Sequence, residues 1–165
     1  KTQAVIDACG ILECPVFLHI EFVSLENKYG STKRMEFMNG LKQILASNSD
    51  QNFIMMHVAE LDPDTCRTLI DEYENIYFAT NFMDLTVICT GEPVSDYSES
   101  EWNTLFADYP DRFIFAFERV FHTQWMHYSQ DMDFARKYLS KLPSTAVKAI
   151  AHDNADKLWK FWPFG

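Results

Sequence analysis

Three ionisable residues stand at the ends of short apolar runs. Pro15-Val16-Phe17-Leu18 leads to His19, Phe53-Ile54-Met55-Met56 leads to His57, and Phe113-Ile114-Phe115-Ala116-Phe117 leads to Glu118. Two imidazoles and a carboxylate are a ligand set for Zn²⁺ and similar divalent ions, and a catalytic site of that kind keeps one position open for water or substrate. Such an ion lowers the pKa of a bound water to about 7 and polarises a substrate oxygen. A carboxylate across the site can take the proton from that water. Glu118 is the candidate for this step; its competing use is an ion pair with the adjacent Arg119. Metal-assisted chemistry is the sharpest reading of these three positions.

The other candidates carry blander alternatives. Glu21 and Glu60 follow the two strand-end histidines by two and three residues. Either could hold an imidazole in one tautomer, and either could be exposed loop charge. His122 and His127 lie in a segment with Trp125 and Tyr128, where they could line a substrate mouth or simply sit on the surface. His152 stands at a helix junction and reads as structural. The acidic residues from Asp96 to Glu101 read as a solvated loop. The chain contains no P-loop, GxGxxG, GxSxG or HExxH. Their absence argues against nucleotide binding, Rossmann-type cofactors, serine hydrolysis and zincin proteolysis.

The elements that would position these residues alternate between strand and helix. Strands are expected at Pro15 to Ile20, Phe53 to Val58, Ile76 to Ala79 and Arg112 to Phe117, each too short and too apolar for a surface helix. A helix is expected to end near Gly10, a usual residue just past a helix C-terminus. Glu21 to Thr32 reads as a polar loop. Met38, Leu41 and Leu45 recur at helical spacing between Lys33 and Ala46. Asp62-Pro63 is a helix start, an acidic cap followed by proline at the first helical position. Cys66, Leu69, Ile70 and Tyr73 then form one stripe, with Asn75 ending that helix. A long loop runs from Asn81 to Glu99. Ser98 with Glu101 makes a capping box ahead of Trp102, Leu105 and Phe106. Further helices are expected from Gln130 to Ser140, from Pro143 to Ala151, and from a cap at Asn154 through Phe161.

Strands joined by helices imply parallel pairing with right-handed crossovers. The carboxyl ends of such strands share one edge, where active sites are built. His19 and His57 are 38 residues apart, and Ala79 and Glu118 are 39 apart, about one strand-helix unit of a barrel. A complete eight-unit barrel takes about 250 residues, so four strands make half a barrel or a small open sheet.

Bulk properties narrow the partners. The chain has 165 residues, 47% hydrophobic and 15% aromatic, with 14 Phe and a net charge of −10. That is one domain with enough apolar surface for a core. The negative charge repels phosphate backbones, so nucleic acid is not an expected partner. No run approaches the roughly 18 apolar residues of a membrane span, and there is no secretory leader pattern. Cys9, Cys14, Cys66 and Cys89 have no zinc-finger spacing. They read as reduced thiols of a cytoplasmic protein, with Cys14 and Cys66 in buried positions.

The four strand segments, above all Tyr109-Pro110-Asp111-Arg112 running into Phe113 to Glu118, together with Ile150-Ala151-His152-Asp153-Asn154-Ala155-Asp156-Lys157-Leu158-Trp159, resemble the second half of the metal-dependent amidohydrolase superfamily. The nearest subgroup is the amidohydrolase-related one, which holds decarboxylases and lactone or amide hydrolases. The resemblance covers most of the chain in order. It implies the C-terminal half, strands 5–8, of a TIM-like (β/α)8 barrel in a longer protein. It implies His19 as a metal ligand, His57 as a metal ligand or substrate polariser, and Glu118 where the family carries an aspartate that binds metal and acts as general base. The metal would be Zn, with Mn or Fe as alternatives. The substrate would be a small organic molecule, hydrolysed or decarboxylated. The family's paired His-x-His on the first strand has no counterpart here. The alternative reading is a non-catalytic scaffold acting as a binding or structural subunit. In either case four parallel strands expose edges, so self-association or pairing with an N-terminal half is expected.

Overall fold

In the computed structural model the four strands form one parallel sheet in the order β1-β2-β3-β4, with β1 at Val16–Leu18, β2 at Phe53–Met55, β3 at Ile76–Thr80 and β4 at Phe113–Phe115. The structure describes residues 2–80, 98–116 and 121–159. Glu118, Cys89, most of the expected 81–99 loop, the expected strand end at Phe117 and the helix end at Phe161 lie outside them. Strand order follows chain order, so the sheet is wound in one direction. Register aligns Leu18 with Met55, Met55 with Phe78, and Phe78 with Phe113.

Both faces of the sheet are covered, which is why the strands read as continuous apolar runs. One face carries Val16, Phe53, Met55, Ile76, Phe78 and Phe113 into the main core. Helices α3 (Ser31–Ser47), α4 (Pro63–Glu72), α5 (Glu99–Asp108) and α6 (Tyr128–Leu139) contribute Leu41, Leu45, Leu69, Phe106 and Tyr138 to that core. Each such fully buried side chain is worth about 1.5–3 kcal/mol. The other face presents Ile54, Tyr77, Ala79 and Ile114 to a smaller cluster closed by Leu158. Leu158 lies on α8 (Asn154–Trp159), which follows α7 (Ser144–Lys148) through a π turn at Ala149–Asp153. Among the described residues no helix is long and apolar enough to cross a membrane.

The helix starts follow their sequence signals. Asp62 caps α4, accepting from the Thr65 backbone N–H at 2.8 Å and from its hydroxyl at 2.7 Å. The Ser98–Glu101 capping box opens α5, whose Trp102, Leu105 and Phe106 are buried. Asn75 does not end α4, which stops at Glu72 with Tyr73 as its extended cap. The buried Asn75 Nδ2 lies 3.1, 2.9 and 3.2 Å from the carbonyls of Leu45, Asn48 and Gln51, tying the end of α3 to the start of β3.

Several expectations fail for identifiable reasons. The segment Glu21 to Thr32 is not a loop: α2 occupies Phe22–Tyr29 and α3 begins at Ser31. A single anchor decides this, because Phe22 is fully buried. Gly30, at φ 86°, separates the two helices in a backbone conformation that suits glycine. The first helix, α1 (Thr2–Ile11), does end near Gly10, but Gly10 lies inside it and Glu13 at φ 51° takes the left-handed position beyond its end. Cys14 is half-buried rather than part of the core; Cys66 is buried as expected. Asn154 is already helical, so it caps nothing. Its Nδ2 donates to the carbonyls of Pro110 and Phe113, both at 2.7 Å, and pins α8 to the start of β4.

Candidate metal centre

His19 follows β1 directly, and His57 lies two residues past β2, so both emerge at the carboxyl edge of adjacent strands. Their ring centroids are 4.9 Å apart. His19 Nε2 lies 3.2 Å from Glu21 Oε1. One ligand atom from each of His19, Glu21 and His57 falls within 4.8 Å of the others. Tetrahedral zinc with bonds of 2.0–2.2 Å holds its nitrogen and oxygen ligands about 3.3 Å apart. The His19–Glu21 pair is already at that separation, and the His57 ligand atom lies within 4.8 Å of both. Two imidazoles and one carboxylate leave a fourth position open, so the donor set fits a catalytic divalent ion.

Access is graded across the cluster. His57 is 9% exposed and forms the floor. The His19 and Glu21 side chains are 53% and 42% exposed and form the rim. His19 and Glu21 sit two apart in extended chain, which places them on one side. Glu21 occupies the cap position of α2 but makes no capping hydrogen bond there. Glu60 supplies it from the neighbouring loop: its carboxylate accepts from the Ser24 backbone N–H at 2.7 Å and from the Ser24 hydroxyl at 2.9 Å. The Glu21 carboxylate is thereby released toward His19, while the chain beyond His57 is clamped to the chain beyond His19.

The backbone beyond β2 is unusual. His57, Val58, Ala59 and Glu60 have φ of 56°, 50°, 57° and 52°, one turn of left-handed helix without glycine. Left-handed backbone costs an L-residue about 1–2 kcal/mol, so the turn stores roughly 4–8 kcal/mol. Burial of Val58 and Ala59 and the Glu60–Ser24 bonds hold it in place. Strand alternation would carry His57 on with Phe53 and Met55 toward the helices. The turn begins at His57 itself and takes it out of that alternation.

Sequence reasoning identified His19 and His57 and offered Glu21 as a holder of an imidazole. Glu21 as the third member of this cluster was not foreseen, although the His-x-Glu spacing at a strand end was the available signal. Sequence reasoning offered Glu60 as a partner of His57; Glu60 bonds Ser24. Glu118, the third expected ligand, lies outside the described residues. His122 and His127 are exposed, and His127 Nδ1 lies 3.3 Å from Gln130 Oε1. His152 is also on the surface, 3.1 Å from Asp153 Oδ1. The Asp153 carboxyl is held below its usual range by the Lys148 ammonium and then by His152. No protein-family model, curated protein or solved structure matches this chain.

Proposed function

We propose that this chain is the C-terminal portion of an amidohydrolase-like (β/α)8 barrel, and that the barrel hydrolyses or decarboxylates a small organic substrate with a divalent metal, preferably Zn²⁺. The observation that carries the reading is the meeting of His19, Glu21 and His57 at the carboxyl edge of a singly wound parallel sheet. Four parallel strands in chain order are what half of such a barrel requires. The strained turn at His57 supports a functional site, since strain of this size persists where function needs a particular side-chain placement.

In this reading His19 and Glu21 hold the ion from the rim and His57 holds it from the floor or steadies charge developing on the substrate. A divalent ion held by these residues would supply polarisation of a substrate oxygen and a more acidic bound water. Glu118, on the chain beyond β4, is the candidate to take and return the proton.

Zn²⁺ titration of the chain by calorimetry tests this, with His19→Ala beside it. The expected result is micromolar or tighter binding at one site, weakened at least tenfold in the variant. Equal binding by parent and variant overturns the metal assignment. An absence of binding in both, in a chain that also contains its barrel partner, favours the non-catalytic scaffold.

A further inference from the structure

Cys9 and Cys14 occupy the two ends of the stop that terminates α1. The Cys14 N–H donates to the Cys9 carbonyl at 3.0 Å, and the Glu13 N–H donates to the Gly10 carbonyl at 3.2 Å, with Glu13 in the left-handed region. These nested bonds are a Schellman motif. The motif brings the side chains at its two ends together, normally as an apolar contact; here the pair is two thiols.

The backbone bond limits the separation of the two Cα atoms to about 7 Å, and disulfides span about 4.4–6.8 Å. The geometry therefore rests on the backbone: the Cys14 N–H to Cys9 carbonyl bond holds the two residues at neighbouring positions of the stop. Both cysteines are free and half-buried, hence reachable, while Cys66 is fully buried. We propose that Cys9 and Cys14 are a modification site, closing reversibly into an intramolecular disulfide at the junction of α1 and β1.

The oxidant class is a low-molecular-weight disulfide such as oxidised glutathione. Burial, and then the neighbouring Cys14 sulfur, push the Cys9 thiol up, so the first attack falls to Cys14. The Cys14 thiolate attacks one sulfur of the small disulfide, whose S–S bond breaks and releases one small thiolate. The Cys9 thiol then gives its proton to solvent, and its thiolate attacks the Cys14 sulfur of the mixed disulfide. The second small thiolate leaves. Two protein thiols lose two electrons and two protons, and one small disulfide becomes two thiols. The new bond would fasten the last turn of α1 to the residues that lead into β1 and His19.

The test is incubation of the full chain with excess oxidised glutathione at mildly alkaline pH, followed by intact mass measurement and non-reducing peptide mapping. Proteolysis after Glu13 separates the two cysteines, so a surviving link reports their bond. The expected product is lighter by two hydrogens, carries a Cys9–Cys14 linked peptide, and returns to the starting mass with dithiothreitol. Cys9→Ser should instead accumulate a stable glutathione adduct on Cys14, and Cys66→Ser and Cys89→Ser should leave the linkage unchanged. Unresolved adducts in the parent chain, a link to Cys66 or Cys89, or no reaction would each overturn the proposal.

Discussion

Val58 and Glu13 both sit in the left-handed region, yet they respond differently to replacement because their surroundings differ. Glu13 is exposed at a helix stop, where glycine is the favoured residue. Replacing it relieves about 1–2 kcal/mol of backbone strain and gives back about 0.4–1 kcal/mol through a freer unfolded chain. Glu13→Gly should therefore stabilise the protein by roughly 0.5–1 kcal/mol, read as a higher urea midpoint. Val58 has similar backbone strain but is buried. Losing its side chain costs about 2 kcal/mol, so Val58→Gly should give no gain in midpoint. An equal rise in both variants would mean that the packing around Val58 is weaker than its burial implies. At this scale His19 and His57 were legible, because a polar residue ending an apolar run is conspicuous. The turn was not, because Val58, Ala59 and Glu60 carry none of the glycine or asparagine that marks left-handed backbone.

Among the elements, α5 shows how a local signal becomes a pH dependence. Its Glu101 carboxylate accepts from the Ser98 backbone N–H at 2.6 Å and from the Ser98 hydroxyl at 2.7 Å. These bonds, the backbone one first, hold the Glu101 carboxyl below its ordinary 4.5. A group whose folded value is depressed stabilises the fold at pH above its unfolded value and loses that contribution as pH falls through the folded one. Stability from this cap should therefore be complete above about pH 5 and decline with acidification below it. Glu101→Gln should flatten that part of the acid limb in a series of urea melts; an unchanged limb would show that the cap is already broken in solution. The capping box was legible because both partners lie within four residues. Helix α2 was not, because its stability comes from burying Phe22 and from a cap donated by Glu60, 36 residues away from Ser24.

For the whole molecule, the sheet has unpaired outer edges among the described residues: β1 pairs only with β2, and β4 only with β3. Near the β1 edge Ile11, Leu12 and Phe17 are exposed. Open edges with apolar surroundings favour further strand pairing. Sedimentation velocity at micromolar concentration should show dimers or larger species, with a clean monomer counting against an edge that needs covering. The alternation of strand and helix was readable along the chain, since buried strands are continuous apolar runs and the helices between them repeat at three and four. The crossing of α8 to the second face was not, because it depends on Asn154 reaching the carbonyls of Pro110 and Phe113.

By itself the amino-acid order determined which segments are strands, where α4 and α5 begin, and that two histidines leave neighbouring strands at one edge. These are consequences of hydrophobic period and of contacts only a few residues long. Tertiary structure alone decided that Glu21 joins the histidines, that Glu60 frees it to do so, and that the backbone reverses its hand at His57. Each of those outcomes is set by groups far apart in sequence but packed together, and no local pattern records the free energy of that packing.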